Sequence, residues 1–275
     1  MDRKLPVKLP EGYLDFFKKL ESWQNERQIY LKNECQFEQY DVLALLASKQ
    51  EPLFHLKKFR FDSGKYKDTF ILLLDFMEQE RKEIADTITT ITKKTDALDY
   101  ALLPTKVLED DGTYVDQLAK FLGVSPDLFL FVADHSLRPF LRIAAQPYHE
   151  TIAGDSMENW HIPAICPLCG SKSHFSRLRA IDGRRFMFCD RCFTEWESKY
   201  LQCIYCGNDE PGTVKYISVE GDDAYQIYTC DKCKGYIKTF DERQNKRSID
   251  MYIANVESIY LDILAHEKGY TNHDE

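Results

Sequence analysis

Eight of the nine cysteines fall between Cys166 and Cys233, as the pairs Cys166-x2-Cys169, Cys189-x2-Cys192, Cys203-x2-Cys206 and Cys230-x2-Cys233; Cys35 stands apart. Gaps of 19, 10 and 23 residues separate successive pairs. A C-x2-C turn aims two thiolates at one ion, and a tetrahedral ion takes four, so two turns must meet. Each longer gap suits a β-hairpin that returns the second turn beside the first, which is the ribbon pattern. Gly170 and Gly207, directly after their turns, relax the backbone so that its amides point at sulfur. Pairing in sequence order gives one centre from Cys166, Cys169, Cys189 and Cys192, and a second from Cys203, Cys206, Cys230 and Cys233. A crossed arrangement, joining Cys166 and Cys169 to Cys203 and Cys206, stays open.

Two metal ions per chain are therefore expected, each held by four cysteines. Sulfur tetrahedra suit zinc and mononuclear iron alike, so the ion stays open as well. CPLCG has the look of a rubredoxin knuckle. Closed four-thiolate sites are most often structural and contribute folding free energy of roughly 10 kcal/mol or more. A redox dithiol or an iron–sulfur cluster explains four matched pairs less well.

The compartment supports ligation over disulfides. The opening MDRKLPVKLPEGYLDFF has basic residues with no apolar run behind them to serve as a leader. Runs such as Phe70–Leu74 and Leu128–Ala133 stop far short of the roughly 20 apolar residues a bilayer needs. The expectation is a soluble, cytoplasmic chain whose thiols stay reduced.

Across its 275 residues the chain is 44% hydrophobic, enough to build cores. Its net charge of -9 argues against gripping nucleic acid by counterion release. Locally the balance differs: residues 166–200 carry seven basic and four acidic side chains, Arg177, Arg179, Arg184 and Arg185 among them. Residues 201–245 carry five basic and eight acidic, which cancels that excess.

Before Cys166 the periodicity is helical. Leu14, Phe17, Leu20, Ile29 and Leu31 predict an amphipathic helix over Glu11 to Asn33. Further helices are expected over Gln36 to Lys49 and over Asp68 to Lys94. Ser125-Pro126-Asp127 is a helix start, with a capping hydroxyl, a first-position proline and an acid at the positive dipole end. That helix should end or kink before Pro139. Pro147, Gly154, Asp155, Ser156, Asn159 and Pro163 mark a linker near Ala145–Ile165. Beyond it, Asp182-Gly183 and Glu220-Gly221-Asp222 read as turns, and the β-prone runs RRFMF and AYQIYT each lead into a C-x2-C. Asp250 to His266 closes the chain as a helix, with Tyr252, Val256, Ile259, Tyr260, Ile263 and Leu264 on its apolar face. The fold class expected is α+β multidomain: a helical domain over 1–150, a four-cysteine ribbon module over 151–200, a second over 201–245, and a C-terminal helix and tail over 246–275.

Other candidates are plainer. Cys35, His135 and His149 read as core or surface groups, and Glu109-Asp110-Asp111 as a solvated turn. His161 and His174 flank the first knuckle and are candidates to ligate or to hydrogen-bond a sulfur. Nothing resembles a phosphate-cradling glycine loop or a nucleophile–base pair, so no enzyme is expected.

Taken together, CPLCGS, GRRFMFCDRCFTEW, LQCIYCG, TCDKCKGYIKTF and LDILAHEKGY resemble the formate dehydrogenase accessory protein family, FdhE. The phrase CxxC-x-TEW from Cys189 to Trp196 is the most specific part. The resemblance implies a helical N-terminal domain followed by rubredoxin- or ribbon-like modules. It implies a cytoplasmic maturation factor that binds the catalytic subunit of formate dehydrogenase, a molybdenum or tungsten enzyme, and does not oxidise formate itself. The eight cysteines carry over as metal ligands. Thr194, Glu195 and Trp196 carry over as a signature, with Trp196 expected to pack the seam between modules. The competing readings are a nucleic-acid-binding zinc ribbon and a rubredoxin-like electron carrier.

Overall fold

A computed structural model describes residues 7, 9–57, 59–155, 157, 160–219, 221–244 and 249–274. Ser156 and Asn159 of the expected linker and Glu220 of the expected turn lie outside the described residues. Helix α1 (Tyr13–Lys32) buries Phe16, Leu20 and Leu31, as its periodicity requires, while Ile29 faces out. Helix α2 (Val42–Lys49) starts later than expected because the Asp41 carboxylate accepts the Ala44 N–H at 3.2 Å and caps it there. A short helix α3 (Leu53–Leu56) follows Pro52. The single helix expected over Asp68 to Lys94 is two: α4 (Ser63–Glu80), capped by Asp62, and α5 (Ala85–Thr92). Between Met77 and Ile84 every side chain is charged or polar, so the buried stripe has nothing to continue it, and the chain breaks at Arg81.

Helices α6 (Leu103–Leu108) and α7 (Gly112–Leu122) lead to α8 (Pro126–Ala145), the axis of the bundle. Ser125 Oγ accepts the Leu128 N–H at 3.3 Å, the cap that the sequence predicts. The helix does not end before Pro139. Proline cannot donate to the carbonyl of His135 one turn back, and Gln24 of α1 does so instead, its Nε2 2.9 Å from that oxygen. A borrowed donor keeps the helix running for 20 residues.

Gln24 belongs to a wider polar core. Its Oε1 accepts from Arg142 Nη2 at 3.0 Å, and the Arg142 guanidinium grips both Glu21 oxygens at 3.1 and 3.0 Å. Burial penalises both ions beyond what their attraction returns, pushing the Glu21 carboxyl up and the Arg142 guanidinium down.

The stretch expected as a linker contains a further helix, α9 (His149–Gly154), whose Ile152 is fully buried. The strands are β1 (Phe175–Leu178), β2 (Arg185–Phe188), β3 (Glu195–Ser198), β4 (Val214–Val219), β5 (Asp222–Cys230) and β6 (Tyr236–Asp241). They form one six-stranded sheet in the order β3-β2-β1-β6-β5-β4. Each ribbon contributes three antiparallel strands, and the two join through a parallel pair, β1 with β6, in the register Phe175 to Lys238 through Leu178 to Asp241. One apolar core runs from the helices into the first ribbon, taking in Leu168, Met187 and Trp196.

The terminal helix is broken into α10 (Met251–Glu257) and α11 (Ile259–Glu267) at Ser258, whose hydroxyl bonds back to the Asn255 carbonyl at 3.0 Å. The break turns Leu261 and Ala265 inward beside Tyr260 and leaves Ile263 exposed. This helix pair covers a second core built on Phe175, Tyr225, Ile227, Tyr236 and Phe240.

Removing one partner of the buried pair leaves an uncompensated charge, so Arg142→Leu is expected to cost about 3–5 kcal/mol. The double variant Glu21→Leu/Arg142→Leu is expected to recover most of that loss. Urea unfolding monitored by circular dichroism measures both; equal losses in single and double variants would refute the charge argument.

Candidate metal centres

All four C-x2-C turns close in the same way. The amide four residues after the first cysteine returns to that cysteine's carbonyl: Gly170 to Cys166 at 3.0 Å, Phe193 to Cys189 at 2.8 Å, Gly207 to Cys203 at 3.0 Å and Lys234 to Cys230 at 2.9 Å. That returning residue is always left-handed, with φ of 80°, 63°, 69° and 60° in the same order. Glycine takes this conformation freely; Phe193 and Lys234 take it at a cost of order 1 kcal/mol. The two glycine positions are legible in the sequence, the other two are not.

The turns bring the sulfurs together in sequence order. Cys166, Cys169, Cys189 and Cys192 form one group and Cys203, Cys206, Cys230 and Cys233 the other, with all Sγ atoms of a group within 4.8 Å of one another. The crossed arrangement is not formed. Measured edges are 3.5 Å for Cys166–Cys192 and Cys169–Cys189, 3.5 Å for Cys203–Cys233 and 3.8 Å for Cys206–Cys230. A tetrahedron with metal–sulfur bonds of about 2.3 Å has edges of about 3.8 Å, so each group fits one ion.

Neighbouring donors address the sulfurs. The Thr194 hydroxyl lies 3.0 Å from Cys192 Sγ, which gives the signature threonine a physical role. At the second group the Gly235 amide is 3.3 Å from Cys233 Sγ and Asn208 Nδ2 is 3.6 Å from Cys230 Sγ. Burial pushes the Cys166 thiol well up. At Cys230 burial acts the same way, but the Cys233 and Lys232 amides outweigh it and bring the thiol down to about 7.

The groups differ most in shielding. All four sulfurs of the first are buried, whereas Cys206 is exposed and Cys233 half-buried in the second. The first is sealed by the helical half. The Leu53 and Phe54 amides, unpaired first-turn donors of α3, bond the Pro167 and Leu168 carbonyls inside the first turn, both at 2.9 Å. Arg191, between Cys189 and Cys192, donates to Asp134 at 2.5 Å and to the Val107 carbonyl at 2.8 Å. Arg138 bonds Asp134 at 2.8 Å and Asp190 at 3.3 Å. Burial opposes a charge on Asp134, yet Arg191 and Arg138 hold its carboxyl far below the usual range.

The second group opens onto a cleft of about 500 Å³ lined by Trp160, His161, Ile162, Tyr205 and Cys206 among others. Behind it, fully buried, sits Arg185 of β2. Burial lowers its guanidinium to about 10. In sequence Arg185 reads as part of a basic patch; nothing local signals that it turns inward.

The remaining candidates resolve as follows. Neither histidine near the first knuckle joins a sulfur group: His161 is exposed, and His174 lies 3.6 Å from Asp274. His149 contacts the first centre indirectly, Nε2 lying 3.2 Å from the Cys192 carbonyl. His135 is a core group bonded by Gln24 at 3.1 Å, and Cys35 stands apart from both centres. In the acidic turn, Asp111 caps α7 and pairs with Lys106 at 3.1 Å. Trp196 is buried as expected, but not at the seam between ribbons, because β3 is the outer strand of the sheet. Its indole donates to the Pro163 carbonyl at 3.0 Å and packs the seam with the helical half.

Comparison with known proteins gives one family throughout. Residues 165–199 match the FdhE central domain and residues 201–274 the FdhE C-terminal domain. A protein FdhE homolog of Aquifex aeolicus is 33% identical over 145 residues, covering 50% of this chain and 50% of that protein. Protein FdhE of Escherichia coli K12 is 28% identical over 108 residues, 38% of this chain and 34% of its own length. The chain thus matches about half the length, or less, of these relatives. The crystal structure of the FdhE protein from Pseudomonas aeruginosa superposes with a TM-score of 0.63 over 99% of this chain and 97% of that one at 14% identity, a shared fold.

Two outcomes follow from the geometry. A Cβ on Gly170 would lie 2.6 Å from the His55 ring at a left-handed φ, whereas one on Gly207 would meet nothing within 4 Å. Gly170→Ala is expected to lower the thermal midpoint clearly more than Gly207→Ala, whose cost is the backbone alone, about 1–2 kcal/mol; equal shifts would contradict the docking of α3. Timed iodoacetamide labelling with peptide mass mapping is expected to modify Cys206 first and the first group last.

Proposed function

Because this chain belongs to the FdhE family, we propose that it is an accessory factor in the maturation of formate dehydrogenase, binding that enzyme's catalytic subunit in the cytoplasm and catalysing no reaction itself. One observation carries the reading: the two stretches that match FdhE domains are the two that fold into four-cysteine groups. In this reading Cys166, Cys169, Cys189 and Cys192 ligate one ion, and Cys203, Cys206, Cys230 and Cys233 a second, zinc or iron in each case.

The arrangement supports a division of labour. A sealed thiolate site contributes folding free energy on the order of 10 kcal/mol, and the first centre stands where both halves of the molecule meet. The second centre faces solvent through Cys206 and is the one a partner can approach. Among the described residues no helix is long and apolar enough to cross a membrane.

Electron carriage is the second reading, and the exposure of Cys206 is what favours it. Nucleic-acid binding loses its local support. Arg177 pairs with Glu195 and Glu242, Arg179 with Asp182, Arg184 with Asp182 and Glu197, and Arg185 is buried.

The test uses a strain deleted for its own family member. The tagged chain is expected to restore formate dehydrogenase activity and to co-purify the catalytic subunit; soluble, metal-loaded protein that does neither would sink the proposal. Elemental analysis of anaerobically purified protein is expected to give two ions per chain. Colourless zinc protein would exclude electron carriage, while thiolate-to-iron absorption would retain it.

A further inference from the structure

Arg185 is 1% exposed, and neither its Nε nor its Nη2 has a hydrogen-bond partner. Among the described residues no carboxylate forms an ion pair with this guanidinium, and none lines the cavity it borders. What faces it is aromatic and sulfur: the Tyr228 ring centroid at 4.4 Å, the Tyr200 ring at 5.6 Å, and a small cavity lined by Cys203 and Cys230 of the second centre. A cation held away from water without a counter-ion is strongly unfavourable. Four thiolates around a divalent ion leave a net double negative charge, which is the anion this pocket lacks among its carboxylates. The first centre offers a contrast, because Arg191 beside it is already neutralised by Asp134 at 2.5 Å.

Resting on the reading of Cys203, Cys206, Cys230 and Cys233 as ligands, we propose that Arg185 is the buried counter-charge of the second thiolate centre. The first ribbon thereby lends the second the cation that helps hold its ion. A fixed positive charge favours the loaded, anionic centre over its protonated, neutral form, and so tightens the metal. With iron it also favours the reduced state, which carries one more negative charge.

The experiment is chelator competition on the full chain loaded with zinc, the two equivalents assigned to their centres by mass mapping of the cysteines that become alkylated. Removing an outer-shell partner typically weakens metal binding about 10–100-fold. Arg185→Met is therefore expected to weaken the second centre at least about tenfold and to leave the first unchanged. Arg185→Lys, which keeps the charge, is expected to stay within about threefold of the parent at both centres. An unchanged second centre in Arg185→Met overturns the proposal, as does an equal loss at both centres, which would mean general loosening. Should Arg185→Met not fold, Arg185→Gln takes its place with the same expected outcomes. A selective tenfold loss in Arg185→Lys would assign the effect to shape instead of charge and also overturn it. If the unaltered chain holds fewer than two equivalents, with Cys203 to Cys233 alkylated regardless of zinc, the ligand reading fails first and the counter-charge with it.

Discussion

Asp134 is a half-buried carboxylate on α8 with an arginine on either side: Arg138 one turn along its own helix, and Arg191 from inside the turn Cys189–Cys192. The position of the first centre relative to the helical half depends on this arrangement. Burial opposes the charge on Asp134; two guanidinium groups more than offset it, and in doing so tie the Cys189–Cys192 turn to the central helix. Farther along α8, Arg142 repeats the theme. It grips Glu21 of α1 on one side and lies 3.8 Å from the Phe193 ring centroid on the other. One helix thus uses three arginine contacts to set both a neighbouring helix and a thiolate site.

The grouping of the cysteines was legible because it is a local problem. A hairpin of 19 or 23 residues returns to its start whatever the rest of the chain does, and glycine marks two of the four turns. The capped start of α8 was legible for the same reason, since Ser125 acts three residues away. What could not be read depended on distant partners. The donor that rescues Pro139 sits on Gln24, and the parallel pairing of β1 with β6 joins residues more than sixty positions apart. Arg185 shows the limit most clearly: in sequence it is one basic residue in a basic stretch, and in the fold it lies behind the other ribbon's sulfurs.

The two centres share ligand type, turn geometry and sulfur spacing, and differ in their surroundings. The first is enclosed by α3, α8 and the Trp196 strand, with its nearby charges paired among protein side chains. The second has one exposed sulfur, one half-buried sulfur and a buried arginine that pairs with no carboxylate among the described residues. The same four-sulfur arrangement placed in unlike surroundings gives sites of unlike accessibility and charge balance.

The parallel junction between β1 and β6 also has a kinetic meaning. The helices that enclose the first centre precede it in the chain, and its own hairpin is short, so its parts are all present once residue 198 has been made. The sheet is complete only when β6 pairs with β1, and β2, which carries Arg185, precedes the second ribbon in the chain. Pairing across such a separation is slow unless one side is preformed. Contacts ordered in this way suit assembly from the N-terminus onward during synthesis, each completed layer serving as template for the next.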